Sequence, residues 1–153
     1  MTLRRPAIDA KDLRIFQVAF VAAALWNLAG GILGYLDPEA AFQLLFDRAL
    51  TDPLVRDIYR GACGTTLIYF VGYLVVASDP VRHLGIVLVG GIGKIGFLTQ
   101  LLKHYLAGVA TSNALVVIVG DVLFSLFFVY YFTRLRGLRV AQRQMLQTEP
   151  PTM

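Results

Sequence analysis

The chain has 153 residues, of which 57% are hydrophobic and 16% are charged, and its formal net charge at pH 7 is +4. Its mean hydropathy is +0.65, which means more apolar surface than a water-soluble domain of this length can bury, so a soluble globular domain is excluded. Most basic residues stand near the ends of the apolar region, a distribution that favours contact with anionic lipid headgroups over nucleic-acid binding.

Four apolar segments follow one another along the chain, and each has about the 20 residues that cross the hydrocarbon of a bilayer. They cover residues 15–36, 58–77, 84–102 and 114–132. The links are too short for a second domain, so the sequence predicts an all-α fold, an integral membrane four-helix bundle. We expect one domain over residues 1–136, followed by a basic-to-polar cytoplasmic tail over residues 137–153.

Three Asp-Pro pairs divide the chain, and each places a side-chain acceptor before a proline that suits the first helical turn. We therefore predict helix starts at Asp37-Pro38, Asp52-Pro53 and Asp79-Pro80. After the first pair, apolar residues recur at helical spacing, namely Phe42, Leu45, Phe46, Ala49 and Leu50. This pattern predicts a short amphipathic helix at the outer membrane surface, which either covers the end of the bundle or acts as a lid over a pocket.

Small residues mark faces where helices can approach closely. Gly30 and Gly34 form a G-x-x-x-G pattern in the first span, which favours packing against a neighbouring helix, a second copy or a membrane partner. The run Gly91-Ile92-Gly93-Lys94-Ile95-Gly96 has the letters of a dinucleotide-binding loop, but it lies inside a membrane helix, without the strand that such a loop needs. The single Cys63 cannot form an internal disulfide and is interpreted as a small packing residue.

The link lengths and the basic residues predict the topology. Residues 78–83 are so few that spans two and three must be antiparallel neighbours, and residues 108–113 impose the same on spans three and four. The positive-inside rule favours cytoplasmic termini, since nine of the fourteen basic residues then lie inside. These nine are Arg4, Arg5, Lys11, Arg14, Arg82, Arg134, Arg136, Arg139 and Arg143. We expect a bacterial inner-membrane protein with both termini cytoplasmic.

Two charged residues stand within the third and fourth spans. A Lys or Asp at the centre of a membrane helix costs about 2.5–3.5 kcal/mol, so Lys94 and Asp121 are expected to face protein rather than lipid. Because their helices are forced neighbours, we predict a Lys94–Asp121 ion pair. Such a pair either fixes the register of the helices or forms a site for a ligand, a proton or an ion.

Other polar residues stand at a similar depth in their spans. Asn27 in the first span and Gln100 in the third are candidate ligand-binding residues beside Lys94 and Asp121, and each can instead serve as a hydrogen bond between helices. Thr65 and Thr66 occupy the corresponding level of the second span. His83 and His104 stand near opposite membrane edges, and no metal-ligand spacing occurs, so we predict no metal site.

The chain combines four spans and short links with Arg14 at the start of the first helix. The segment Trp26-Asn27-Leu28-Ala29-Gly30-Gly31 then leads to Asp37-Pro38. In this it resembles the DoxX-like small four-helix bacterial membrane proteins. That group includes redox-associated members, so the resemblance implies a quinone-linked or an accessory role. It carries over no catalytic residue, and it names no cofactor for this chain.

Three functional hypotheses follow. The first is a binding or accessory membrane protein that holds a lipid-like or other small apolar molecule, with Lys94, Asp121 and Asn27 orienting its polar head. The second is a membrane enzyme, an isomerase or a quinone-linked oxidoreductase, in which Lys94 or Asp121 transfers a proton. The third is a structural subunit of a larger membrane complex that packs through its glycine faces.

Overall fold

A computed structural model describes residues 9–148, and it describes side-chain surroundings for residues 9–137. It contains five helices: α1 (Ala10–Leu36), α2 (Pro38–Phe46), α3 (Pro53–Ser78), α4 (Leu84–Leu106) and α5 (Asn113–Thr148). The four long helices are long and apolar enough to cross a membrane, which confirms the four predicted segments as helices. Helix α5 continues into the predicted tail, whose residues 149–153 lie outside the described part, as do Arg4 and Arg5.

Two of the three predicted helix starts are confirmed. Asp37 caps α2 by accepting a hydrogen bond from the backbone N–H of Ala40, and Asp52 caps α3 in the same way through Leu54 and Val55. The third prediction is wrong, because the Asp79 side chain accepts hydrogen bonds from the backbone N–H groups of Val81 and Arg82 and closes a turn. Helix α4 begins later, at Leu84, without a side-chain cap. A carboxylate that bonds backbone two or three residues ahead serves a turn as well as a helix start.

The long helices pack as two pairs. Helix α1 packs along α3, and α4 packs along α5, with fewer close approaches between the pairs. At the first interface, a side chain at Gly34 would meet the sulfur of Cys63, and one at Gly31 would meet Leu67. Gly30 takes no part in this interface, since nothing lies within 4 Å of its missing side chain. The interface is therefore set by Gly31 and Gly34, and Cys63 has the predicted packing role.

Aromatic side chains join the two pairs at the end opposite α2. Phe16 and Phe20 from α1, Tyr73 from α3, and Phe128 and Tyr131 from α5 form this aromatic cluster, and each is 3% exposed or less. The ring centroids of Phe20 and Tyr131 lie 5.0 Å apart in an edge-to-face arrangement, a favourable geometry for aromatic pairs. All four long helices contribute to this hydrophobic core, because Val87 of α4 is also part of it.

The short helix α2 closes the other end. It ends at Phe46, where Asp47 takes a left-handed conformation with φ 50°. The last carbonyl groups of a helix lack partners within it, and here the carbonyl of Leu44 accepts hydrogen bonds from the side chains of Thr111 and Asn113. The backbone N–H of Thr111 also donates to the carbonyl of Leu45 at 2.8 Å. These bonds tie α2 to the link between α4 and α5.

The outward faces of all four long helices are apolar. Val18, Ile68, Ile92 and Leu126 are each 63% exposed or more, and they represent one long helix each. A soluble helix shows the reverse pattern, because it buries its apolar face and presents a polar face to water. The surface therefore suits a hydrocarbon solvent, in agreement with the hydropathy of the chain.

The glycine contact between α1 and α3 gives a stability prediction. Gly34→Ala is expected to lower the free energy of unfolding by about 1–3 kcal/mol, because its β-carbon would lie 2.3 Å from the Cys63 sulfur. Gly30→Ala makes the same chemical change in the same helix with nothing within 4 Å, so it is the matched control. Unfolding in detergent micelles, followed by circular dichroism, compares the two variants; equal losses would contradict the packing.

Candidate functional site

Side chains from three long helices meet in a polar cluster inside the apolar structure. The Nζ atom of Lys94 on α4 donates to Asp121 Oδ1 of α5 at 2.7 Å and to Asn27 Oδ1 of α1 at 2.9 Å. Asn27, Lys94 and Asp121 are 5%, 8% and 4% exposed. The predicted ion pair is thus present, and the structure brings together three of the four candidate ligand-binding residues.

Helical spacing places Lys94 in this cluster. Val87, Gly90, Lys94 and Leu101 are the buried residues of α4, and their separations of three, four and seven positions keep them on one face. Phe97, three positions after Lys94, is 52% exposed and therefore lies at the edge of this face. The face points into the structure because α4 packs on α5 along one side and on α3 along another.

The lysine spans a gap between helices that are not backbone neighbours. Within the described residues, no Cα atom of α1 comes within 8 Å of a Cα atom of α4. The bond from Lys94 to Asn27 therefore depends on the long, flexible stem of the lysine side chain. An aspartate or asparagine at position 94 is too short to make the same connection.

Trp26 is a member of the polar cluster that sequence reasoning missed. Its indole Nε1 donates to Asp121 Oδ1 at 3.0 Å, so one carboxylate oxygen accepts from both Lys94 and Trp26. The indole reaches this position because residue 120 is glycine: a β-carbon there would lie 2.1 Å from the indole ring. The signal in the sequence is the Gly120-Asp121 pair: the glycine leaves space for a large ring, and the aspartate supplies an acceptor for the indole N–H.

Aromatic rings lie beside the charged side chains of the polar cluster. The Nζ atom of Lys94 lies 5.6 Å from the ring centroid of Phe124, within range of a cation–π interaction. The rings of Trp26 and Phe124 lie 6.1 Å apart. These apolar rings lower the local dielectric constant around the ion pair, and this strengthens the attraction between its two charges.

The polar cluster is electrically neutral, but its hydrogen bonds are incomplete. A lysine ammonium group has three N–H donors, and the described residues accept two of them. Both hydrogen bonds to Asp121 go to Oδ1. One lysine N–H and one carboxylate oxygen therefore have no hydrogen-bond partner among the described residues.

Other predicted polar residues lie elsewhere. Gln100 is exposed on the opposite side of α4 and takes no part in the polar cluster. The hydroxyl groups of Thr65 and Thr66 donate to the carbonyl groups of Gly61 and Ala62 in their own helix. Helix α3 therefore contributes no threonine to the cluster.

Two surface grooves lie away from the polar cluster, at the end opposite α2. One of about 230 Å³ runs between the start of α4 and the middle of α5, past Leu84, Leu88 and Arg136. The other, of about 680 Å³, runs along the start of α1 past Lys11 and Arg14. Both combine apolar walls with basic residues, and neither includes a residue of the polar cluster.

A double-mutant cycle tests the energetics of the ion pair. Lys94→Met or Asp121→Leu alone is expected to lower the free energy of unfolding by about 3–5 kcal/mol, because each leaves a buried charge uncompensated. The double variant removes both charges and should recover most of that loss. Unfolding of all four proteins in the same detergent gives the coupling energy, and strictly additive losses would show that the two charges do not interact.

No protein-family model, curated protein or solved structure matches the chain.

Proposed function

We propose that the protein is an integral membrane protein in which the four long helices form a bundle across the bilayer. The apolar outward faces support insertion, and the basic residues support an orientation with both termini in the cytoplasm. Arg14, Arg82 and Arg136 then lie at the inner edge, and α2 lies at the outer surface as a cover. We extend this proposal to the bacterial inner membrane and to the DoxX-like group, both on the sequence pattern given above.

We further propose that the polar cluster binds the polar end of a membrane-dissolved apolar molecule. The observation that carries this proposal is the third N–H of Lys94, for which the described residues supply no acceptor. Lys94 is also 8% exposed, so the residue is not fully enclosed. A ligand oxygen at this N–H makes a hydrogen bond to a charged donor, the stronger class of hydrogen bond in proteins.

The charge of the site favours an uncharged ligand head. Asp121 already neutralises Lys94 at 2.7 Å, so an anionic phosphate or carboxylate would leave one net negative charge in apolar surroundings. Such an excess charge is costly. A carbonyl or hydroxyl oxygen satisfies the lysine N–H without that cost. The proposed ligand is therefore an uncharged amphiphile with a carbonyl or hydroxyl head and an apolar body.

A binding experiment tests this ligand class with the intrinsic fluorescence of Trp26, the one tryptophan of the chain. A long-chain fatty-acid methyl ester, titrated into the protein in nanodiscs, is expected to change Trp26 emission, and the ionised fatty acid of equal length should bind more weakly. The double variant Lys94→Met/Asp121→Leu should lose at least about tenfold in affinity for the ester, the equivalent of one hydrogen bond to a charged group.

The matched control is Lys103→Met, which removes an exposed lysine from the last turn of the same helix. Its affinity should equal that of the wild type. Mass spectrometry of small molecules retained by the gently purified proteins gives a second readout, since the ligand should be lost from the double variant alone. If wild type and double variant retain the same molecules and bind the ester equally, the proposal fails.

A second candidate function is that of a subunit which packs against a partner helix. Gly93 and Gly96 have nothing within 4 Å of their missing side chains, and Gln100 is exposed on the same side of α4. A polar side chain that faces lipid is unfavourable, whereas small residues together with a polar one are typical of helix interfaces in membranes. This face therefore favours a second copy of the chain or another membrane helix.

Disulfide crosslinking tests this interface in native membranes. With Cys63 replaced by serine, Gly96→Cys is expected to form a crosslinked dimer across the α4 face. Leu123→Cys, on the exposed face of α5, is the control and should stay monomeric. A Gly96→Cys protein that crosslinks to a different protein identifies a hetero-complex, and one that forms no crosslink at all excludes the interface.

A further inference from the structure

Two buried hydroxyl groups lack hydrogen-bond partners next to the polar cluster. Tyr73 is 0% exposed, and neither its hydroxyl nor that of Ser125 has a partner in the described part of the chain. Buried polar groups are nearly always paired, so each such exception calls for a physical explanation. Phenylalanine at position 73 and alanine at position 125 would fill the same space without the unfavourable free energy of burying an unpaired hydroxyl group.

The two hydroxyls occupy one level of the structure. A β-carbon at Gly90 would lie 2.4 Å from the Tyr73 hydroxyl oxygen, so that oxygen rests against the backbone of Gly90. Gly90 precedes Lys94 by one helical turn, and Ser125 follows Asp121 by one turn. Because α4 and α5 run in opposite directions, both positions lie on the same side of the ion pair, about 5.4 Å from it along the helix axes.

Phe128 relates the position of Tyr73 to that of Ser125. Phe128 follows Ser125 by three positions on α5, and its ring centroid lies 5.4 Å from that of Tyr73. The same Phe128 ring would meet a side chain at Gly91 at 3.4 Å. Below this level the aromatic cluster closes the structure, so the hydroxyls face the ion pair on one side and apolar rings on the other.

We propose that Tyr73 and Ser125 hold a buried water molecule that links them to Asp121. A buried water typically makes two to four hydrogen bonds to polar groups that would otherwise lack partners. Each hydroxyl can donate one bond and accept others. The second oxygen of Asp121 is the polar atom one turn away, and the remaining N–H of Lys94 stays available for the ligand head. Water is the small molecule that both donates and accepts across this distance.

The inference goes beyond ligand binding and does not depend on it. A water in this position extends the polar cluster by one turn, toward the end opposite α2. It also brings exchangeable protons to the ion pair, although both charges lie in apolar surroundings. Helix α3, whose threonines bond within their own helix, then joins the cluster through Tyr73.

Hydroxyl-radical footprinting tests the proposal, because X-ray irradiation converts a bound water into a radical that modifies the adjacent side chain. The whole protein, in nanodiscs equilibrated with oxygen-18 water, is irradiated and digested for mass spectrometry. Tyr131 is the internal control: it is also 0% exposed, and its hydroxyl donates to the carbonyl of Pro80. Tyr73 is expected to gain labelled oxygen several-fold faster than Tyr131.

Ser125→Ala removes one partner of the water and should slow the labelling of Tyr73 to the rate of Tyr131. An unchanged Tyr131 rate shows that the variant is folded; if that rate rises, Ser125→Gly removes the same hydroxyl with less bulk. Equal, slow labelling of Tyr73 and Tyr131 in the wild-type protein would overturn the proposal. Fast labelling of Tyr73 that persists without the serine hydroxyl would overturn the shared site.

Discussion

The structure depends on one electrostatic constraint: a lysine and an aspartate stand in apolar helices and must meet. An isolated charge in such surroundings is far more unfavourable than a paired one. Rotation of α4 and α5 is therefore restricted to orientations that bring Lys94 and Asp121 together. Asn27 and Trp26 extend the same restriction to α1, since both bond to this pair. Apolar packing alone has no comparable directional preference.

Different interactions join the two helix pairs at different levels. Aromatic rings join the pairs at one end, and the polar cluster joins them in the middle. At the other end, α2 and the α4–α5 link join them. The rings provide large contact areas with tolerant geometry, whereas hydrogen bonds fix positions within a few tenths of an ångström. The middle level thus determines the relative register of the helices, and the ends add contact area.

The meeting of Lys94 and Asp121 was predictable from sequence because each charge lies within a long apolar segment and their helices are joined by a short link. The contact of Trp26 with Asp121 was not predictable, because it depends on the rotation of α1 and on the space that Gly120 leaves for the indole ring. The place of Gly30 has the same origin: the buried face of α1 passes through Asn27, Gly31 and Gly34, so Gly30 lies outside the interface with α3. Only packing between helices decides which of two adjacent glycines is buried.

At the chain reversals, the local sequence was more informative, although the same Asp-Pro pattern led to two different structures. Asp37 and Asp52 cap helices as predicted, while Asp79 uses the same side-chain acceptor to close a turn. The length of the link determines which of these two roles the aspartate takes, because the chain must reverse direction within a few residues between α3 and α4. The spacing of four positions places Ser125 on the same helix face as Asp121, whereas the place of the Tyr73 hydroxyl depends on packing between helices.

The length of α5 has a mechanical consequence. Its 36 residues extend over about 54 Å at 1.5 Å per residue, whereas the hydrocarbon of a bilayer is about 30 Å thick. Asp121 stands in the first third of this helix, and the backbone is helical without interruption to Thr148. A continuous α-helix acts as a stiff rod, so a twist or tilt imposed at its far end reorients the carboxylate that holds Lys94. In the proposed membrane orientation, contacts made outside the bilayer would reach the buried charges through α5.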